Sequence, residues 1–170
     1  QDPNTTLNLE NAKDLIETLK IHGEKPIVVS EVKCSQVLYN TIEKLGATAI
    51  MTKTGHGYIK SKMKETGASL GGEMSGHTFF KDTYYGFDDA VYAGCRIIEI
   101  TANKKKQNPN FKISDMLKPF DSVYSSQEVR LACPNSLKSQ TLETFQAVIA
   151  KNPDFFGTKI SDIITLDGMR

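Results

Sequence analysis

Gly71-Gly72-Glu73-Met74-Ser75-Gly76-His77-Thr78-Phe79-Phe80 is the stretch around which the chain is organised. It follows an apolar patch at Ala68 and Leu70 and precedes a helical pattern opening near Asp88. Glu73, Ser75 and His77 stand at i, i+2 and i+4. In an extended backbone that spacing puts all three on one face, because successive Cβ atoms alternate sides. Gly71, Gly72 and Gly76 carry no side chain, so the backbone is free to turn sharply and a ligand to come close. A carboxylate, a hydroxyl and an imidazole facing one way suit the vicinal hydroxyls of a sugar. The same residues also fit a glycine-rich turn with a salt-bridged Glu and an exposed His, and spacing alone leaves both readings open.

Working outward, Ala12, Leu15, Ile16 and Leu19 keep helical spacing until Gly23 and Pro26 end the pattern. His22, at that helix end, reads as an exposed residue interacting with the helix dipole. Residues 26–30 read as a buried strand. Ser35 caps an expected helix to about Leu45, with Val37, Leu38, Ile42 and Leu45 on one stripe and Gly46 as the stop. Residues 47–51 form a second expected strand, and residues 58–65 a helix closed by Gly67. Strand signals follow at 68–73 and 78–81. A helix from about Asp88 to Ala102 then carries Val91, Cys95 and Ile98 on its expected inner side, with Asp88 and Asp89 as capping residues rather than metal ligands. This alternation predicts a layered α/β/α domain with a mixed, largely parallel sheet over residues 1–120. A short helix at 113–117 and Pro119 mark its end.

Residues 128–133 (EVRLAC) then alternate as a strand, 137–150 form an amphipathic helix, and 162–166 begin another strand leading into the turn Asp167-Gly168. No returning strand follows. Residues 121–170 are therefore expected to be a truncated α+β segment leaning on the first domain, since so small a piece buries little surface alone.

Lys33 lies just past the first strand and ahead of a helix. In parallel α/β sheets the carboxyl ends of the strands form the ligand crevice, and an ammonium near helix N–H groups attracts phosphate. His56, in Thr-Gly-His-Gly, also lies at a strand end before a helix, where an imidazole can donate to a phosphate oxygen or serve as a structural cap. A surface lysine is the plain alternative for Lys33.

Composition narrows the field. Hydrophobic residues make up 39% and charged residues 24% of the 170, the balance of an ordinary globular chain. A net charge of +1 points to neither nucleic acid nor a membrane surface. Lys104-Lys105-Lys106 reads as a solvated loop. Cys34, Cys95 and Cys133 are odd in number, widely spaced and without C-x-x-C, which predicts neither a disulfide framework nor a zinc site and fits a reducing cytoplasm. No signal peptide or bilayer-spanning apolar run is evident. The opening Gln1-Asp2-Pro3 lacks Met, so the natural start is expected to lie elsewhere.

Together with VKCS (32–35), KTGHGYIKSKMKETGA (53–68) and GFDDAVYAG (86–94), the sequence GGEMSGHTFF resembles the third domain of the α-D-phosphohexomutases. GEMSGH resembles their phosphomannomutase/phosphoglucomutase branch. The match runs from about Lys25 to Glu99, and IITLDGMR (163–170) resembles the opening of the family's fourth domain. The resemblance implies that Lys33 and His56 face the active cleft. It implies that Glu73 and Ser75 recognise the sugar; His77, expected on the same face, is a candidate proton shuttle or charge stabiliser, or a further hydroxyl or phosphate contact. It implies interconversion of hexose 1-phosphate and hexose 6-phosphate through a phosphoserine enzyme and a 1,6-bisphosphate, with Mg2+ in the parent enzyme. Gly57 stands where relatives often carry Ser. Relatives acting on glucosamine phosphates tend to carry Gln in place of Met74, which favours mannose and glucose phosphates here.

The family's phosphoserine loop (Thr-Ala-Ser-His-Asn-Pro type) and magnesium loop (Asp-Gly-Asp-x-Asp-Arg type) do not occur in these 170 residues. The expectation is therefore a fragment of a phosphohexomutase, inactive alone, with no metal of its own and with the parent's other domains and a hexose phosphate as partners. The alternatives are a stand-alone phosphosugar- or protein-binding module of the same fold, and a phosphoglucosamine mutase fragment.

Overall fold

Ile27, Val28 and Val29 suit a strand buried on both faces, and in the computed structural model they open the central strand of the sheet. The structure describes residues 25–120, 129–152, 154–155, 157–160 and 162–169. The helix expected between Leu9 and Gly23, and His22 with it, lie outside these. The chain divides into two compact units, Gln1–Ser125 and Ser126–Arg170.

In the first unit the order is β1 (Ile27–Glu31), α1 (Gln36–Lys44), β2 (Thr48–Thr52), α2 (His56–Thr66), β3 (Leu70–Gly72), β4 (Thr78–Phe80), α3 (Ala90–Gln107) and a 3-10 helix (Ile113–Phe120). The sheet order is β2-β1-β3-β4. β1 runs parallel to β2 and to β3, and β4 runs antiparallel to β3. This is the mixed α/β fold the alternating pattern predicts. Register aligns one edge of the sheet: Glu31 pairs with Thr52, and Ser30 with Gly72. The carboxyl ends of three strands thus lie side by side.

Alternation along the strands sends neighbouring residues to opposite layers. Val28, Leu70 and Phe80 join Leu38, Tyr39 and Ile42 of α1, with Tyr92 and Ala93 of α3 packed against them. Val29 and Phe79 join Ile59, Met63 and Ala68 on the α2 side. The Ser35 hydroxyl accepts the Val37 N–H at 3.3 Å to start α1. Gly67, at φ 73°, closes α2 in the left-handed conformation glycine adopts freely.

Two local expectations change. Along α3 the inner face is Tyr92, Ala93, Arg96 and Ile100, whereas Val91 is 79% and Ile98 70% exposed and Cys95 is also exposed. Both stripes keep the helical period, so sequence spacing does not choose between them. Tyr92 wins because its ring meets Phe80 edge-on at 5.3 Å and stacks on Tyr84 at 4.2 Å. The three lysines 104–106 are not a loop but the last turn of α3, where they complement the helix dipole.

The second unit holds a 3-10 turn (Asn135–Leu137), α4 (Lys138–Lys151) and a small hairpin of β5 (Asp154–Phe155) and β6 (Thr158–Lys159). The expected helix is present. The expected strands are not: residues 129–133 are irregular, with Val129 78% and Leu131 84% exposed, and residues 162–165 are irregular too. A strand needs a paired neighbour for its backbone groups, and neither segment finds one among the described residues. Glu128 lies outside the described residues.

Candidate functional site

Three loops leave the sheet at the edge where β1, β2 and β3 end. The first carries Lys33, the second delivers His56 as the first residue of α2, and the third is Glu73–His77. Parallel pairing of β1 with both neighbours is what brings them to one edge.

The third loop is not extended. β3 and β4 form a hairpin, and residues 73–77 are its connection. The Glu73 N–H donates to the His77 carbonyl at 2.9 Å, and the Gly76 N–H donates to the Glu73 carbonyl at 3.0 Å. Gly76 sits at φ 92°. Inside the Glu73–His77 pair the turn proper is the three residues 74–76, ending in a left-handed glycine; this is a common hairpin solution, and side-chain alternation does not hold within it. The one-face argument from i, i+2, i+4 spacing therefore fails for this segment.

The turn nevertheless brings two of the three groups together. Ser75 curls back, and its hydroxyl donates to Glu73 Oε2 at 3.1 Å. Glu73 is 8% exposed and Ser75 is exposed, so the pair has a buried root and an open tip. His77 turns to a different partner: its Nδ1 lies 2.6 Å from Asp88 Oδ2. An Nδ1–H held by a carboxylate leaves Nε2 as the outward nitrogen. Asp88 is thus the imidazole's orienting group. Only Asp89 caps α3, its carboxylate accepting the Tyr92 N–H at 2.9 Å. That bond, followed by one from the Tyr84 hydroxyl, holds the Asp89 carboxyl below the usual range, and the same contact raises the Tyr84 phenol.

Gly71 serves the fold rather than a ligand. A Cβ there would lie 2.6 Å from Met63 Sδ and 2.7 Å from Ile59 Cγ2. The bare backbone lets α2 press against the sheet, which in turn places His56. Lys33 is 45% exposed in its side chain, with Nζ 3.9 Å from Glu31 Oε1. Sequence reading missed Glu31 and the partnership of Asp88. A carboxylate ending the apolar run PIVVSE was the available signal for the first, and the adjacent aspartates before α3 hid the second.

Among the described residues no three of His, Cys, Asp or Glu converge so as to hold a metal ion. No helix among them is long and apolar enough to cross a membrane.

Residues 10–120 match the model of the family described as phosphoglucomutase/phosphomannomutase, alpha/beta/alpha domain III. The chain belongs to that family. It is 40% identical over 144 residues to a phosphoglucomutase of Neisseria gonorrhoeae, covering 84% of this chain and 29% of the relative. A phosphomannomutase/phosphoglucomutase of Pseudomonas aeruginosa is 36% identical over 143 residues, again 84% of this chain and 28% of the other. A crystal structure of a phosphoglucomutase/phosphomannomutase family protein from Burkholderia thailandensis superposes with a TM-score of 0.74 at 31% identity, over 99% of this chain and 32% of that one. The chain thus spans under a third of the length of the relatives it matches.

Proposed function

We propose that this chain supplies the sugar-recognition wall of a phosphohexomutase acting on mannose or glucose 1- and 6-phosphates. The observation that carries this reading is the shared strand edge, which sets Lys33, His56 and the Glu73–His77 loop beside one another. Buried Glu73 accepts from adjacent sugar hydroxyls, and charge-assisted bonds of this kind are about twice as strong as neutral ones. Ser75 adds a hydroxyl at the tip of the same pair. Lys33 and the first turn of α2, with His56, offer cationic and N–H groups to a phosphate. His77, its Nδ1 held by Asp88, has Nε2 left to act as proton carrier or charge stabiliser.

The nucleophilic serine and the magnesium loop belong, in this reading, to polypeptide outside these residues. The odd number and wide spacing of Cys34, Cys95 and Cys133 fit a reducing, cytoplasmic setting.

The test is an NMR titration of the chain with glucose 1-phosphate. Amide shifts are expected to centre on residues 72–78 and near Lys33, and to be lost in Glu73→Ala. Shifts centred on α4, or binding that survives both Glu73→Ala and Ser75→Ala, would refute the assigned site.

A further inference from the structure

Glu31 ends the central strand with a side chain that is wholly buried, at 0% exposure. Its Oε1 accepts the backbone N–H of Met74 at 2.8 Å, from a residue 43 positions away and in the middle of the hairpin loop. Its main chain is engaged on the other side: the Glu31 carbonyl accepts the Cys34 N–H at 3.0 Å and the Tyr39 hydroxyl at 2.6 Å. The backbone of one residue thus fixes the turn that carries Lys33, and its side chain fixes the loop that carries Glu73 and Ser75. Oε2 has no hydrogen-bond partner among the described residues.

A buried carboxylate with one oxygen unsatisfied is costly to the fold. A purely structural tie to one N–H does not require a charge, and an apolar end to β1 would avoid the cost. The cation near this acid is Lys33, whose Nζ stands 3.9 Å from Oε1.

We propose that Glu31 is a positioning residue that locks the Glu73–His77 loop to the Lys33 turn and sets the spacing between sugar-gripping and phosphate-binding groups. Its side chain holds the loop through Met74. Its charge holds the half-exposed ammonium near the strand edge until a phosphate competes for it. This assignment rests on the sugar-phosphate reading of the site.

Amide hydrogen exchange and glucose 1-phosphate titration, both on the 170-residue chain, separate the two readings. In Glu31→Ala the Met74 amide is expected to exchange about tenfold faster or more, relative to the Val29 amide in the same sheet. Glu31→Gln keeps an acceptor for Met74 and loses the charge. Its Met74 amide should stay within about threefold of the native rate, while glucose 1-phosphate binds less tightly. Should Glu31→Ala fail to fold, Glu31→Asp, which withdraws the carboxylate by one methylene, takes its place with the same expectation. Unchanged Met74 exchange in Glu31→Ala or Glu31→Asp overturns the proposal, as does acceleration shared equally by Val29, which would make Glu31 a general stabiliser. A loosened loop that binds the sugar phosphate with native affinity also overturns it. If the native chain does not bind glucose 1-phosphate, the functional reading falls, and Met74 exchange still decides whether Glu31 holds the loop.

Discussion

Two glycines show how differently a missing side chain can be used. At Gly71 the added methyl of alanine would meet Met63 Sδ and Ile59 Cγ2 inside van der Waals distance. Met63 can yield by rotating its thioether, but branched Ile59 is held between helix and sheet. Overpacking of this kind costs about 1–3 kcal/mol, so Gly71→Ala should lower the midpoint of thermal unfolding. At Gly94, inside α3, nothing lies within 4 Å of the added methyl. Gly94→Ala should stabilise the chain by about 0.4–1 kcal/mol, because the unfolded state loses freedom it would otherwise regain. Calorimetry on the two variants reads both signs, and a rise in midpoint for Gly71→Ala would refute the packing role. The loop residues carry a similar lesson. Glu73, Ser75 and His77 were identifiable as polar groups in a glycine-rich setting. Their side-chain directions were not, because Gly76 at φ 92° converts alternation into a turn.

α3 is the element whose orientation most needed tertiary information. Ile100 is 2% exposed, whereas Val91 and Ile98 face outward. Ile100→Ala should therefore cost about 2–5 kcal/mol, and Val91→Thr or Ile98→Gln should stay within about 0.5 kcal/mol of native, as read by urea titration. The start of the same helix is sensitive to acid. Asp89 titrates below its unfolded value because the Tyr92 N–H, and after it the Tyr84 hydroxyl, favour the charged form. Between the depressed folded value and the ordinary carboxyl value the unfolded chain binds more protons, so stability rises with pH in that window. The contribution is fully present above the unfolded value and lost as pH falls through the folded one. Comparing thermal midpoints of native and Asp89→Ala chains across acidic pH should show a difference that shrinks as the solution becomes more acidic. A difference unchanged down to full protonation would refute the electrostatic part of the cap.

For the molecule as a whole, the proposed function assigns this chain only one wall of a sugar-phosphate site, and the expected affinity is correspondingly low. Hexose phosphates should bind the chain at millimolar concentration or weaker, about −4 kcal/mol, and isothermal titration giving micromolar binding would contradict the partial-site reading. The layered α/β class, the limits of β1, α1, β2 and α2 to within a few residues, and the family were all legible along the chain. Those features rest on local signals: β-branched runs, a Ser cap, and glycines at helix ends. Packing and strand pairing settle which stripe of α3 turns inward, why Gly71 is bare, and which partners Asp88 and Glu31 find. Each of these depends on a residue brought near by pairing or packing, as when the β3–β4 hairpin carries Met74 to Glu31 across 43 positions. Spacing along the chain holds no record of such distances.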